Sequence, residues 1–418
     1  MPASGWNRAL RALAAVCLLA AGAAQDRREI FRQIDRSLQD LAAISGMKSK
    51  KAIRYDLITK DKVNEFLKDR VKESIKPEEV RAEEITLKKI GFVPADFNLE
   101  KSTVDLLTEQ AAAFYDYHKK KLFLTDWAPS ATQESALVHE LAHALADQNF
   151  HLERFIKQGG KSDDSELARM AVMEGQATWL MTEALARRAG QSVAGNPELL
   201  EAMSGASDTG SSQFPVFNSV PLYLRETLVF PYTQGARFQN AVYGKMGKAA
   251  FAEVFRRPPD TTQQVLHPPK YFDRMEPTLP AFPQLTPGKG YKDLTEGMLG
   301  ELDHAILLRQ YATREKADAI SPHWKGGRYH LIENKTRDRV ILRYVSEWDS
   351  AQVARDFFGC YAGVLRKKWK KMEVTGESEE MLSGTGDDGY FIVRRAGSLV
   401  WSLEGMASPE QAKSGVVR

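Results

Sequence analysis

Residues 138–148 read VHELAHALADQ. His139 and His143 are four apart, and Glu140 directly follows the first histidine. On a helix, positions i and i+4 share one face, so two imidazoles at this spacing can reach one ion. Glu140 falls about 100° round the same helix, close enough to touch a water on that ion without ligating it. The surrounding PSATQESALVHELAHALADQNF reads as a strong helix, with Ser130 and Gln133 as a capping box. Leu137, Leu141, Ala144 and Leu145 form the apolar face that fixes it. The plain alternative is a helix that happens to carry two histidines.

Two histidines need a third protein ligand. The metzincin pattern asks for a glycine and a histidine at fixed offsets, where Ala146 and Asn149 stand instead. His151 comes two positions late and reads as a helix-end residue. The other solution is a carboxylate from a second helix, which leaves a water position open. A helix from about Asp163 to Ala189 offers Glu166, Glu174 and Glu183. Glu174 is the preferred ligand. Met170, Met173, Ala177 and Leu180 set it beside an apolar face, where an unpaired carboxylate is costly. Gly175 weakens the helix, and close approach to the His139 helix gives a reason for it. The competing reading of Glu174 is a buried acid paired with an arginine. Asp147, one turn beyond His143, is either a partner that orients a ligand histidine or a local cap.

The rest of the chain supplies context. It has 418 residues, 43% hydrophobic and 27% charged, which suits a globular protein of two or three domains. A net charge of +3 gives no reason to expect nucleic acid. Arg8 and Arg11 precede the apolar run ALAAVCLLAAGAA, too short to span a bilayer and ending in small residues. That predicts a secretory signal peptide over 1–24, and its loss takes two arginines from the +3, leaving +1. Val16 stands where a lipoprotein signal wants a small residue before Cys17. Cleavage leaves only Cys360, so no intrachain disulfide can form. Cys360 falls on the helical stripe Val353, Phe357, Tyr361 and Val364 and reads as a buried, inert thiol. The mature chain is expected to be exported, periplasmic or secreted, with no transmembrane segment.

Residues 25–110 read as helical, with a helical N-terminal segment over 25–94. AFYDYHKKKLFLTD, 113–126, reads as a β-hairpin with His118 as a solvated turn residue. Helical pattern returns over about 220–256, and 258–290 is proline-dense, a wrap or linker assigned as a linker over 271–290. In 291–418 a helix covers roughly 294–312. RYHLIE and RVILRYV alternate like strands, a helix follows Asp349, and GYFIVRR and SLVWSLE are two further strands. That is a ββαββ unit, so the fold class is α+β. RKKWKK, 366–371, reads as a solvated helix end.

HELAHALADQ followed by MEGQAT resembles the gluzincin zinc metallopeptidases, the HExxH…E group that includes thermolysin. It is similar, more closely, to a family of exported bacterial zinc peptidases with HEL-HAL-DQ and EG-A motifs. FYDYHKKKLFL, FPYTQGARF and TTQQVLHP are similar to that family too. The resemblance covers roughly 95–270 well and the C-terminal domain loosely. It implies a mostly helical zincin-like domain over 95–270, with His139, His143 and Glu174 on Zn2+ and Glu140 as general base. It also implies that KLFLTD, 121–126, is an edge strand that pairs with an extended peptide or protein substrate. An oxyanion donor is then needed, and Tyr232 and His267 are the candidates by their order after the third ligand. A core tyrosine and a histidine that orders a proline-rich loop are the plain readings of these two. The expectation is an exported zinc-dependent endopeptidase. The alternatives are a zinc hydrolase of a non-peptide bond, or a catalytically silent zinc-bound scaffold whose C-terminal domain binds a protein or the cell envelope. An intact Glu140 favours an enzyme, because a structural zinc site needs no base. Oligomeric state and substrate are not legible.

Overall fold

The computed structural model describes residues 27–59, 61–62, 65, 76–110, 113–125, 130–159, 162–204 and 214–412. The signal peptide expected over 1–24, with Cys17, lies outside the described residues, as do the side chains of the Ser130–Gln133 box.

Two helices carry the site. α3, Ser130–Phe150, holds the HELAH segment, and α4, Asp163–Arg188, holds Glu174; they follow α1, Arg27–Ser45, and α2, Pro77–Ile90. α4 starts at Ser162, whose side chain accepts from the Ser165 N–H, and Arg187 and Arg188 close its last turn. Leu137, Leu141, Ala144 and Leu145 are fully buried, so the apolar stripe read in the sequence is the packed face of α3. Ile34, Leu38, Leu41 and Ile44 of α1 join the same core. The N-terminal helix is thus part of the wall behind α3. α5, Leu222–Met246, crosses α4.

A small sheet lies beside α3. β1 (Arg54–Ile58), β2 (Ala113–Asp116) and β3 (Lys121–Thr125) are arranged β1-β3-β2. β2 and β3 form the expected hairpin, and β1 pairs with β3 in parallel. This corrects two readings. Residues 25–110 are not helical throughout, because RYDLI is a strand. KLFLTD is not an edge strand, because β3 has a neighbour on both sides and no free ladder for a substrate. The edge strand beside α3 is β2, all four residues of which are buried. RYDLI gave no warning because four of its five residues are exposed, so it lacks the in–out alternation that marks a strand.

After α5 come α6 (Thr262–Leu266), β4 (Lys292–Met298), α7 (Glu301–Tyr311) and α8 (Arg314–Ile320). β5 (Trp324–Asn334), β6 (Arg339–Trp348), α9 (Ala351–Lys368), β7 (Met372–Glu377), β8 (Met381–Gly386), β9 (Gly389–Ala396) and β10 (Leu399–Met406) complete the chain. The strands form one antiparallel sheet in the order β4-β5-β6-β10-β9-β8-β7. The molecule is α+β, with the expected ββαββ unit at the centre of a larger sheet. β4 replaces the start of the helix read over 294–312, and β7 and β8 are additional.

Period-two alternation divides the two faces of the sheet. Leu331, Leu342, Tyr344 and Val400 face the main core with Phe357, Tyr361 and Val364 of α9. Ile332, Ile341, Val345 and Trp401 face the other way, where Phe282 and Leu285 of the proline-dense segment cover them. That segment is a wrap: the guanidinium groups of Arg328 and Arg343 lie 4.4 and 5.0 Å from the Phe282 ring centre. Cys360 is a buried free thiol, its pKa raised by burial. RKKWKK is only partly a solvated end. Lys368 is buried against Glu404 at 2.5 Å, and Trp369 is buried on Phe391.

Candidate metal centre

The i, i+4 spacing on α3 brings the two imidazoles together, with Nε2 of His139 and of His143 3.0 Å apart. Oε2 of Glu174 on α4 lies 3.1 Å from the first and 3.2 Å from the second. Three ligand-type atoms therefore converge on one point. Ligands at about 2.0–2.2 Å from a tetrahedral zinc stand roughly 3.3 Å from one another, so this triangle has the right size for three of its four corners. The donor set also fits. Glu174 is fully buried, and its Oε1 has no hydrogen-bond partner among the described residues. Burial would raise its pKa, but the charge of His143 and hydrogen bonds from His139 and His143 outweigh it and hold the carboxyl at about 2. Burial lowers the pKa of His139, against the hydrogen bond to Glu174, and so favours the neutral ring that binds metal.

Glu140 stands apart from this triangle. Its Oε2 accepts the Tyr115 N–H at 2.7 Å, from the outer edge of β2. Its carboxylate still lies within 4.8 Å of the ring nitrogens of His139 and His143. The side chain is fully buried. This is the placement the helical wheel implies, beside the three converging atoms and not among them.

The other acids of α4 have different partners. Glu183 accepts from Ser192, the Val193 N–H and Arg187, and so ties the end of α4 to the next loop. Glu166 is buried one turn into α4. Asp147 accepts from Tyr115 Oη at 3.0 Å, from Lys120 Nζ at 2.7 Å and from the Leu152 N–H at 2.9 Å. It is a clamp that fastens the hairpin to α3, the local one of its two readings. His118 sits at the hairpin turn, 3.0 Å from Glu153, and His151 follows the end of α3 with φ 56°.

Gly175 does permit a close approach, but to α5 and not to the His139 helix. A Cβ on Gly175 would lie 2.1 Å from the carbonyl carbon of Gly235, and one on Gly235 would lie 2.3 Å from the Ala171 carbonyl oxygen. The two glycines let α4 and α5 cross backbone to backbone. Tyr232 is one turn before that crossing, and its ring lies over His139 with centroids 5.9 Å apart and planes 27° from parallel. Of the two oxyanion candidates, Tyr232 is thus at the site. His267 is not brought to it: its Nε2 lies 2.8 Å from Glu301 Oε1, in the wall of a separate cavity. The Tyr115 N–H and Gly235 are the positioning groups that sequence reading missed. A backbone donor leaves no mark in a sequence, whereas Gly235 inside a helical stretch was a signal that could have been used.

Residues 285–414 match a family described as a domain of unknown function (DUF8575), which covers the C-terminal sheet and leaves α3 and α4 outside it. No curated protein and no solved structure matches the chain. Among the described residues, no helix is long and apolar enough to cross a membrane.

Proposed function

We propose that the chain is an exported zinc-dependent endopeptidase. The observation that carries the proposal is the convergence of His139, His143 and Glu174 within 3.0 to 3.2 Å of one another, with Glu140 held just outside. His139, His143 and Glu174 would hold the ion. A bound zinc supplies Lewis acidity, which polarises a carbonyl and lowers the pKa of water to ~7. Glu140 takes the proton of the attacking water and delivers it to the leaving amine. The Tyr115 N–H fixes the direction of that carboxylate. Tyr232, whose ring lies over His139, would donate a hydrogen bond to developing negative charge.

The test is Glu140→Gln in a peptide-library assay. It should keep zinc and lower turnover about 10²–10⁴-fold. Cleavage at the wild-type rate removes Glu140 from the mechanism. One observation favours a second reading: His139, Glu140, His143 and Glu174 are all at most 2% exposed. A closed site of this kind also suits a catalytically silent zinc scaffold that binds a protein or the envelope. On that reading zinc is retained and neither wild type nor variant cleaves any peptide.

A further inference from the structure

A cavity of about 410 Å³ opens between α5 and the helices α7 and α8 of the C-terminal domain. One part of its wall is apolar, with Phe217, Leu222, Val229, Phe230, Leu266 and Leu302. The rest carries charge. Arg309 is paired within the wall through its terminal nitrogens, 3.1 Å from Glu226 and 3.6 Å from Asp318, although its Nε is buried without an acceptor. Two further groups have polar atoms without a partner. Arg225 makes no side-chain ion pair or hydrogen bond among the described residues, and its Nε is buried without an acceptor. Glu301 is 2% exposed, with Oε1 held by His267 at 2.8 Å, while its Oε2 has no donor among the described residues. A buried polar atom left unpaired is unfavourable, and a ligand that completes the hydrogen bond recovers that cost. The cavity thus offers one unmatched guanidinium, one unmatched carboxylate oxygen and an apolar wall.

We propose that this cavity binds a short peptide with free ends and an apolar side chain, its carboxylate on Arg225 and its ammonium on Glu301. Arginine's planar fork suits a carboxylate, and a buried carboxylate is an acceptor for an ammonium group. The volume is that of a small-molecule pocket. The inference is independent of the metal centre, since it rests on the charges of this cavity alone. It also accounts for His267, which orients Glu301 here instead of serving the zinc site.

The test is calorimetric titration of the full chain carrying Glu140→Gln, with alanyl-leucine as the probe. The C-amidated and N-acetylated forms of the dipeptide are the comparisons. Alanyl-leucine should bind, and each blocked form should bind about tenfold or more weakly. Arg225→Gln should weaken alanyl-leucine to the level of the amide and leave the amide unchanged. Glu301→Gln should do the same with respect to the N-acetyl form, with Arg225→Lys recovering part of the affinity. Glu174→Ala should leave binding intact. The proposal is overturned if alanyl-leucine does not bind at millimolar concentration, if the blocked forms bind equally well, or if the Arg225 and Glu301 variants bind like the parent. Binding lost in Glu174→Ala but kept in Arg225→Gln would assign the dipeptide to the metal centre and overturn it too.

Discussion

Glu140 and Glu174 are both fully buried carboxylates, yet their neighbours give them different work. Glu174 faces two imidazoles, and Glu140 faces a backbone N–H. The sequence made this division legible because helical spacing fixes which side chains share a face. It left Asp147 open between two roles, since spacing cannot say which donors a carboxylate meets. Its three donors are Tyr115, Lys120 and Leu152. Asp147→Ala should therefore destabilise the fold by about 2–4 kcal/mol, because buried donors lose their acceptor. It should leave zinc affinity near wild type, which denaturant unfolding and a zinc titration would check. A large loss of zinc affinity with little loss of stability would give Asp147 the histidine-orienting role instead.

At the scale of elements, the α4–α5 crossing sets where Tyr232 lies. Gly175 was readable as a close-approach residue, but its partner was not, because a glycine says that something comes near without saying what. Gly235→Ala places a methyl group 2.3 Å from the Ala171 carbonyl oxygen, so the helices must separate. The expected cost is about 1–3 kcal/mol, read by denaturant unfolding. Tyr232 should move off His139 with it, so activity should fall further than Tyr232→Phe alone makes it fall. The sheet tells the same story about partners. The hairpin was legible from alternation, but β3 lost its edge to β1, whose exposed residues carry no alternation. β7 was missed for the same reason: Val374 is exposed and its neighbours are polar. A strand with one solvated face and no apolar partner leaves only its backbone ladder, which a sequence does not display.

Across the whole molecule, buried acids join the domains. Asp164 at the start of α4 accepts from the Thr262 N–H and hydroxyl, and Asp303 of α7 accepts from the Gly300 N–H. Burial raises the pKa of Asp164 to about 6, with the charges of Glu301 and Asp163 adding to it, and that of Asp303 to about 8, with the charges of Asp164 and Asp163 adding to it. Glu83, Tyr223 and Tyr329 line the same junction. A folded pKa above the unfolded value means that stability is full below about pH 4 for these groups and is lost as pH rises through 6 and 8. Unfolding free energy should thus fall by roughly 3–6 kcal/mol between pH 5 and pH 9, and Asp303→Asn should flatten the upper part of that slope. A wild-type profile flat over this range would contradict the burial argument. The candidate metal centre draws on the same frame, since α1, the small sheet, α3, α4 and α5 must all pack before the atoms of His139, His143 and Glu174 meet. The most direct measurement is the zinc content of residues 25–418 after gel filtration without chelator, beside Glu174→Ala. The account predicts about one zinc per chain in the wild type and close to none in the variant. A wild-type chain that retains no zinc and takes up none on titration would contradict it, and VHELAHALADQ would then be a packed helix that carries two histidines.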